Sequence, residues 1–172
     1  MKPFLLLLVT VFLLSFDSNA QCTITGTVNA SSYTCSSFTG CTIVYVGNGT
    51  TAATLNMNAS LDLSCLGVIQ FIVRNNATID FSSGNNNLTL AEGSSLTINS
   101  GGTLSGGSCN ASERIYIGTN LLASCNGHAG ADYSFSDLIS FGGTGSLTSN
   151  SPVCASNTIN LLATPPPNGT CP

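Results

Sequence analysis

Short aliphatic couplets recur along the middle of the chain at a nearly constant interval. Each couplet is a pair of apolar residues separated by one polar residue, as in Ile79-Asp80-Phe81, Leu88-Thr89-Leu90 and Leu96-Thr97-Ile98. From Ile79 onward the couplets begin nine, eight and eight residues apart, and Leu104 opens the last of them. Because side chains alternate between the two faces of a strand, each couplet predicts a very short strand with its polar middle residue facing outward.

The segments between the couplets are rich in glycine, asparagine and serine, which permit the bent and left-handed backbone that tight corners need. Two-residue hairpin turns are mostly lacking, and no i, i+3, i+4 apolar stripe supports a helix. Short strands separated by corners predict coils that stack into parallel sheets around one core. Corner asparagines, in Asn75-Asn76 and Asn85-Asn86-Asn87, are expected to form side-chain ladders between coils.

This pattern, over roughly residues 54–107, resembles the right-handed parallel β-helix of exported bacterial surface proteins and of pectate-lyase-type folds. The resemblance lies in the couplets, which begin at Leu55, Leu61, Ile79, Leu88 and Leu96. It implies an all-β protein built as a parallel β-helix, or β-solenoid. The cysteines on both sides of the repeats predict that its ends are tied by disulfides. The alternative fold is an antiparallel β-sandwich, which short strands also build.

Changes in composition divide the chain into five expected segments. The order is a signal peptide (1–20), an N-terminal disulfide-rich cap with the first coils (21–53), the solenoid repeats (54–107), distorted coils with an inserted loop (108–153), and a C-terminal cap or tail (154–172). Within the fourth segment, Leu138-Ile139-Ser140-Phe141 is expected to resume the strand pattern. Pro165-Pro166-Pro167 in the tail cannot continue a strand ladder, because proline lacks the backbone donor.

The first twenty residues have the organisation of a secretory signal. Lys2 is the positive residue, Phe4 to Leu14 form a short apolar run, and Ser18-Asn19-Ala20 offers the small residues at which a signal peptidase cuts. We expect cleavage between Ala20 and Gln21. The apolar run is shorter than the roughly 20 residues that span a bilayer, so no membrane insertion is expected after cleavage.

Charged residues make up only 6% of the chain, and the net charge is −4. After the predicted signal, the basic residues are Arg74 and Arg114 alone. Two cations cannot neutralise the several phosphates that nucleic-acid binding requires, nor hold a protein on an anionic membrane. We therefore expect neither kind of partner, and a location outside the cell or on its surface.

All eight cysteines follow the predicted signal: Cys22, Cys35, Cys41, Cys65, Cys109, Cys125, Cys154 and Cys171. An even number behind a signal sequence predicts disulfides formed in an oxidising compartment. Three of them cluster near the start, and the local pairs expected further on are Cys109–Cys125 and Cys154–Cys171. The chain has no C-x-x-C pair and a single histidine, His128, so we expect neither a metal site nor a cofactor.

The best candidate for catalysis is the loop around His128, with Asp132 and Asp137 nearby. A histidine oriented by a carboxylate is the minimum of a general base. No nucleophile motif accompanies it, and a histidine in an Asn-Gly-His-Ala-Gly loop is more often only solvated. Asp62 and Asp80 could face outward on neighbouring coils as a sugar-cleaving pair, although solvent-facing strand positions explain them better. We expect no catalytic residue.

Enzyme activity does not follow from the fold resemblance. Pectate-lyase-type enzymes carry clustered acids for calcium and a basic catalytic residue, whereas Arg74 lies beside Asn75-Asn76 with no acid cluster in the surrounding sequence. A carbohydrate-binding or carbohydrate-cleaving β-helix remains an alternative. Against it, the aromatics that would stack sugars do not recur at the repeat spacing; the tyrosines are Tyr33, Tyr45, Tyr116 and Tyr133.

Outward threonines raise a further alternative, an ice-binding solenoid. Thr89, Thr97 and Thr103 are expected to face solvent, and a flat threonine-rich face with few charges can order water. Regular T-x-T strands would be expected on every coil, yet the pattern occurs only in Thr23-Ile24-Thr25-Gly26-Thr27, outside the clearest repeats.

Export, a rod-building repeat and the lack of a reactive constellation in the sequence together predict a secreted, non-enzymatic structural protein. We expect it at the cell surface or in the extracellular matrix, acting in adhesion or filament assembly. Its expected partners are other copies of itself, end to end through unpaired strand edges or side by side, and surface glycans.

Overall fold

The computed structural model describes residues 20–140 and the backbone of a strand at 147–148. Predictions for the signal sequence, for Cys154–Cys171 and for Pro165-Pro166-Pro167 lie outside these residues. The described chain is mostly β-structure. Its strands are β1 Ala20–Ile24, β2 Thr27–Asn29, β3 Cys41–Val46, β4 Ala53–Asn56, β5 Leu61–Asp62, β6 Gln70–Val73, β7 Ala77–Asp80, β8 Asn87–Leu90, β9 Ser95–Ile98, β10 Thr103–Ser105, β11 Arg114–Ile117, β12 Asn120–Ser124, β13 Tyr133–Ser134 and β14 Leu147–Thr148.

The remaining elements are short helices. One α-helix, α1, spans Phe135–Ser140, and 3-10 helices lie at Ala30–Ser32, Cys35–Phe38 and Ser64–Leu66. None of the helices in the described residues is long and apolar enough to span a membrane.

The strands form three sheets, and successive strands pass from one sheet to the next. Sheet A has the order β1-β3-β6-β9-β14, sheet B the order β10-β7-β4-β2, and sheet C the order β13-β12-β11-β8-β5. From β3 to β11 the chain visits the sheets in the fixed order A, B, C. The eight-residue sequence repeat is therefore the step between sheets, and a full circuit back to the same sheet takes about 25 residues.

Neighbouring strands run parallel through the middle of the molecule. Among the described residues, the exceptions are β12 on β11 and β14 on β9. The register continues across sheet B, where Leu55 lies opposite Ile79 and Ile79 opposite Leu104. The antiparallel β-sandwich is thus wrong for this chain, because in such a sandwich consecutive strands pair in opposite directions.

The couplets point into one interior, as predicted from their alternation. The residues that begin them are each at most 6% exposed: Leu55, Leu61, Ile79, Leu88, Leu96 and Leu104. Their polar middle residues, such as Thr89 and Thr97, are partly exposed. Buried side chains from all three sheets belong to a single core, in which Phe71 and Phe81 are the largest fully buried residues.

Corner asparagines bind the backbone of the preceding circuit. The side-chain amide of Asn75 donates to the carbonyl oxygen of Gly49, and that of Asn76 donates to the carbonyl oxygen of Thr50. The donor–acceptor distance is 3.4 Å in both hydrogen bonds. The amide of Asn86 likewise donates to the carbonyl oxygen of Met57. The expected asparagine ladders at these corners are therefore wrong, since the amides satisfy carbonyl groups that the bends leave without a sheet partner.

Three disulfides lie within the described residues: Cys22–Cys41, Cys35–Cys65 and Cys109–Cys125. The last of them confirms the local pair expected from spacing. Cys35 belongs to the N-terminal cluster, but its partner lies 30 residues further along, in the 3-10 helix Ser64–Leu66. Three disulfides in a chain of this size are typical of an oxidising, extracellular environment.

The end of the stack formed by β9, β10 and β11 is covered by other elements. Strand β14 pairs with β9, strand β12 pairs with β11, and helix α1 packs against β10. Helix α1 buries Phe135 and Leu138, and the ring of Phe135 lies 5.0 Å from that of Phe81 between centroids. At this end, two antiparallel strands and a helix occupy the positions that another layer of parallel strands would take.

Helix α1 contradicts the strand predicted at Leu138-Ile139-Ser140-Phe141, of which the first three residues are helical. A capping box explains the difference. The backbone N–H of Asp137 donates to Ser134 Oγ over 3.1 Å, and the backbone N–H of Ser134 donates to Asp137 Oδ2 over 2.8 Å. These two bonds satisfy donors at the helix start and stabilise a turn that the local apolar pattern does not reveal.

Candidate functional site

One outer surface of the molecule carries two rows of stacked polar side chains. On sheet B the outward positions of β2, β4, β7 and β10 are in register. The first row is Thr27, Thr54, Thr78 and Thr103, and the second is Asn29, Asn56, Asp80 and Ser105. We call this surface the threonine face. Neighbouring strands lie about 4.8 Å apart, so the threonine row repeats at that distance.

The threonine face follows from a tripeptide that recurs once in each circuit. Each strand has a threonine, an aliphatic residue and a short polar residue, as in Thr54-Leu55-Asn56 and Thr78-Ile79-Asp80. Leu55 and Ile79 are fully buried, which directs the residues on either side of each to the outside. Threonine suits these positions because its β-branched side chain favours extended backbone.

Hydrogen bonds between strands order both rows. The hydroxyls of Thr78 and Thr103 lie 2.7 Å apart. In the second row, Asn56 Nδ2 donates to Asn29 Oδ1 over 3.2 Å, and Ser105 Oγ donates to Asp80 Oδ1 over 2.8 Å. These three hydrogen bonds restrict the side chains that they join, so part of the face is ordered in advance.

Asp80 is the one charged residue in the two rows, and its carboxylate is bound locally. Partial burial raises its pKa, but hydrogen bonds from the side chains of Ser82 and Ser105 and from the backbone of Ser82 outweigh that effect and leave the pKa below its ordinary value. The hydroxyls of Ser82 and Ser105 thus bind the negatively charged carboxylate, and the other groups on the face are neutral and polar.

The lowered pKa of Asp80 predicts a specific acid sensitivity. A group whose folded pKa is depressed stabilises the fold above its unfolded pKa, and this contribution is lost as pH falls through the folded value. We expect the stability of the wild type to decrease on acidification below about pH 4 by more than that of Asp80→Asn. Urea unfolding at a series of pH values measures this, and parallel pH profiles for the two proteins would contradict it.

The threonines singled out from the sequence do not share a surface. Thr89 lies on sheet C, Thr97 on sheet A and Thr103 on sheet B. Only Thr103 belongs to the threonine face. Thr27, the last residue of the T-x-T run, also belongs to it. In the sequence, the face corresponds to threonines that recur about every 25 residues, which is the length of one full circuit. The shorter spacing of adjacent couplets does not reveal it.

The loop around His128 places its candidate residues in structural roles. The backbone of His128 bonds to Asn126 Oδ1 and to Ser124 Oγ, and its side chain is exposed. Asp137 caps α1, and Asp132 accepts a hydrogen bond from Asn120 over 2.9 Å. In the described residues no hydrogen bond or ion pair joins the imidazole to either carboxylate.

The acids considered for sugar cleavage lie on different sheets. Asp62 is opposite Thr89 on sheet C, whereas Asp80 is opposite Asn56 on sheet B. Two carboxylates must flank one bond to hydrolyse a glycoside. Because these two project from separate faces, the structure does not bring them together as a pair.

The tyrosines are also dispersed over the described residues. The guanidinium carbon of Arg74 lies 3.4 Å from the ring centroid of Tyr45 on sheet A. Tyr33 packs on Phe38 near the first circuit, and Tyr116 on sheet C binds the guanidinium of Arg114. No row of tyrosines forms on a common face of the described residues, as a platform for stacked sugars would require.

Compared with known proteins, the chain matches no family model, no curated protein and no solved structure. The case for its function therefore depends on its own geometry. In that geometry, the threonine face is a surface of the described residues on which side chains from successive strands are hydrogen-bonded to one another.

Proposed function

We propose that the chain is a three-sided β-solenoid that serves as a secreted, non-enzymatic structural protein of the cell surface or extracellular matrix. The observation that carries this proposal is the repeated passage of the chain through sheets A, B and C with continuous parallel register. Each circuit adds a layer to the same core, which is how solenoids gain length and rigidity.

Contacts between successive circuits support a structural role. Cys35–Cys65 links the first circuit covalently to the second. Beside it, the backbone N–H of Ser31 donates to Asn58 Oδ1 over 3.1 Å, and Asn58 Nδ2 donates to Ser31 Oγ over 2.9 Å. These reciprocal links restrict sliding of one layer over the next, so the stack behaves as a stiff unit.

The covered end favours adhesion through a side of the solenoid over end-to-end filament assembly. A further parallel coil at that end would have to displace β14, β12 and α1 from the strands they pair or pack with. We therefore propose that contacts with other molecules are made through the faces of the stack. The threonine face, ordered and nearly free of net charge, is the one we assign to them.

Fractionation of the producing cells tests the structural role. We expect the protein in the surface or matrix fraction after secretion, and no release of reducing sugar from polyuronates incubated with the purified chain. Clear sugar release would contradict the non-enzymatic role. Recovery of the protein only from the culture medium would contradict attachment to the surface or matrix.

The threonine face favours one second candidate function, binding to ice. Four threonine side chains in a row, carried by parallel strands about 4.8 Å apart, offer a regular array to a crystalline water surface. The second row runs parallel to it, two residues along each strand. Ice is a repeating solid, and a repeating face can engage it at many points at once.

Substitution of a central threonine tests this second candidate. We expect the wild type to be enriched in slowly grown ice, and Thr78→Tyr to lose most of that enrichment because the bulky ring interrupts the row. Thr97→Tyr is the matched control, since Thr97 occupies an outward strand position on sheet A. Exclusion of the wild type from ice, or equal enrichment of both variants, would rule out ice binding by this face.

A further inference from the structure

A buried carboxyl group lies beside the disulfide Cys109–Cys125. Glu113 is 1% exposed, and in the described part of the chain its Oε2 is the buried side-chain atom with no hydrogen-bond partner. A carboxyl oxygen, the Sγ of Cys109 and the Sγ of Cys125 all lie within 4.8 Å of one another. Unpaired buried polar atoms are rare in folded proteins, and each calls for an explanation.

The surroundings of Glu113 keep its carboxyl group within 4.8 Å of the sulfur of Cys125. The backbone N–H of Cys125 donates to the carbonyl oxygen of Glu113 over 3.0 Å, which ties the two residues together. Gly106 closes the other side: a Cβ at that position would lie 2.6 Å from Cys125 Sγ and in contact with Glu113 Oε2. Because Gly106 has no side chain, Glu113 Oε2 and Cys125 Sγ can both lie next to it.

The two cysteines differ in accessibility. Cys109 is exposed, whereas Cys125 is 6% exposed. A thiolate attacks a disulfide along the S–S bond and expels the far sulfur. The rate depends on the accessibility of the attacked sulfur and on how well the protein stabilises the negative charge on the leaving sulfur. Attack from solvent therefore falls on Cys109, and the buried Cys125 is the leaving group.

We propose that Cys109–Cys125 is a thiol–disulfide exchange site in which Glu113 protonates the departing sulfur. An external low-molecular-weight thiolate forms a bond to Cys109 Sγ, and the Cys109–Cys125 bond breaks with its electron pair on Cys125 Sγ. The carboxyl proton of Glu113 passes to that sulfur, leaving a thiol and a carboxylate. A second external thiolate then attacks the mixed disulfide and releases Cys109, so that two external thiols are oxidised to one disulfide.

The electrostatics of the site keep the proton available. Burial raises the pKa of Glu113, a backbone hydrogen bond from Asn110 lowers it, and the negative charge of Asp80 raises it further, leaving it above the ordinary value. Asp80 reaches this site from β7, and the guanidinium of Arg114 is occupied by the carbonyl oxygen of Ala111 and the hydroxyl of Tyr116. The same three side chains resemble a metal-binding cluster, but in the oxidised protein the two sulfurs are bonded to each other.

Site-resolved reduction kinetics of the full oxidised chain test the proposal. A water-soluble phosphine reduces the protein from about pH 4 to about pH 8, and alkylation with mass spectrometry follows each disulfide separately. The Cys35–Cys65 disulfide, in which Cys65 is exposed and Cys35 partly exposed, serves as internal reference. Dividing one reduction rate by the other removes the effect of the reagent's own protonation. We expect the ratio at low pH to be about tenfold higher in the wild type than in Glu113→Gln.

The pH profile gives the decisive readout. The wild-type ratio is expected to fall as pH rises through the folded pKa of Glu113, because the proton is then lost, whereas Glu113→Gln gives a flat profile. Identical profiles for the two proteins would overturn the proposal. If Glu113→Gln does not fold, trapping the wild type with glutathione gives a second test: the adduct is expected on Cys109, and an adduct mainly on Cys125 would refute the assigned direction of attack.

Discussion

Phe71→Ala is expected to lower the free energy of unfolding by about 3–5 kcal/mol, the usual cost of emptying a buried aromatic site. Phe71 is fully buried at the centre of sheet A, opposite Val44 on one side and Leu96 on the other. Its removal leaves a cavity in the middle of the stack that layers above and below cannot close without breaking register. Urea unfolding followed by circular dichroism measures the change.

Ile72→Ala is the matched control for this prediction. Ile72 is the next residue of the same strand, of similar hydrophobicity, and lies on the outward, partly exposed side. We expect its loss to cost no more than about 1 kcal/mol. Equal destabilisation by the two substitutions would mean that the inward and outward sides of β6 are not as described.

Gly47→Ala is expected to destabilise the protein by about 2–5 kcal/mol. Gly47 has a φ of 84° at a corner, and a Cβ there would lie 2.7 Å from the Cβ of Ala77 in the next circuit. The left-handed backbone costs an L-residue about 1–2 kcal/mol, and overpacking adds about 1–3 kcal/mol. Thermal and urea unfolding of the purified variant give the value.

Two further variants separate the contributions of backbone and packing. Gly40 has nearly the same φ, 83°, but a Cβ there would have no neighbour within 4 Å, so Gly40→Ala should show the backbone cost alone. Adding Ala77→Gly to Gly47→Ala should recover part of the lost stability by removing the clash. A double variant no more stable than Gly47→Ala would show that successive corners do not stack as the structure places them.

Much of the fold is predictable from the local alternation of side chains. The couplets at Leu55, Ile79, Leu88 and Leu96 depend on a period of two, which the sequence displays directly, and all four residues are buried. The glycines and asparagines between them mark the corners for an equally local reason. Short strands with outward polar residues therefore follow from neighbouring residues.

Features that depend on contacts between distant residues are less visible. The threonine face requires knowing that residues about 25 apart become neighbours, which depends on three strands making one circuit. Cys35–Cys65 depends on the same circuit, because the pair joins equivalent positions of adjacent layers. Helix α1 formed where the apolar pattern suggested a strand, since the cap by Ser134 and Asp137 decided the local conformation.

Glu113 illustrates a different limit. In the sequence it is one acidic residue among seven, and nothing in its neighbours marks it as buried. Its position beside Cys125 arises from the antiparallel return of β12 on β11, which sequence alternation did not predict. The same antiparallel return covers one end of the parallel strands.

Contacts between methyl groups, measured by nuclear Overhauser spectroscopy on selectively labelled protein, test the proposed three-sided solenoid most directly. The stack predicts contacts from Leu55 to Ile79 and from Ile79 to Leu104, residues that follow one another up sheet B. The contradicting result is contact between Ile79 and Leu88 in an antiparallel hairpin register, with no contact from Ile79 to Leu55 or Leu104. That result would exclude both the solenoid and the threonine face.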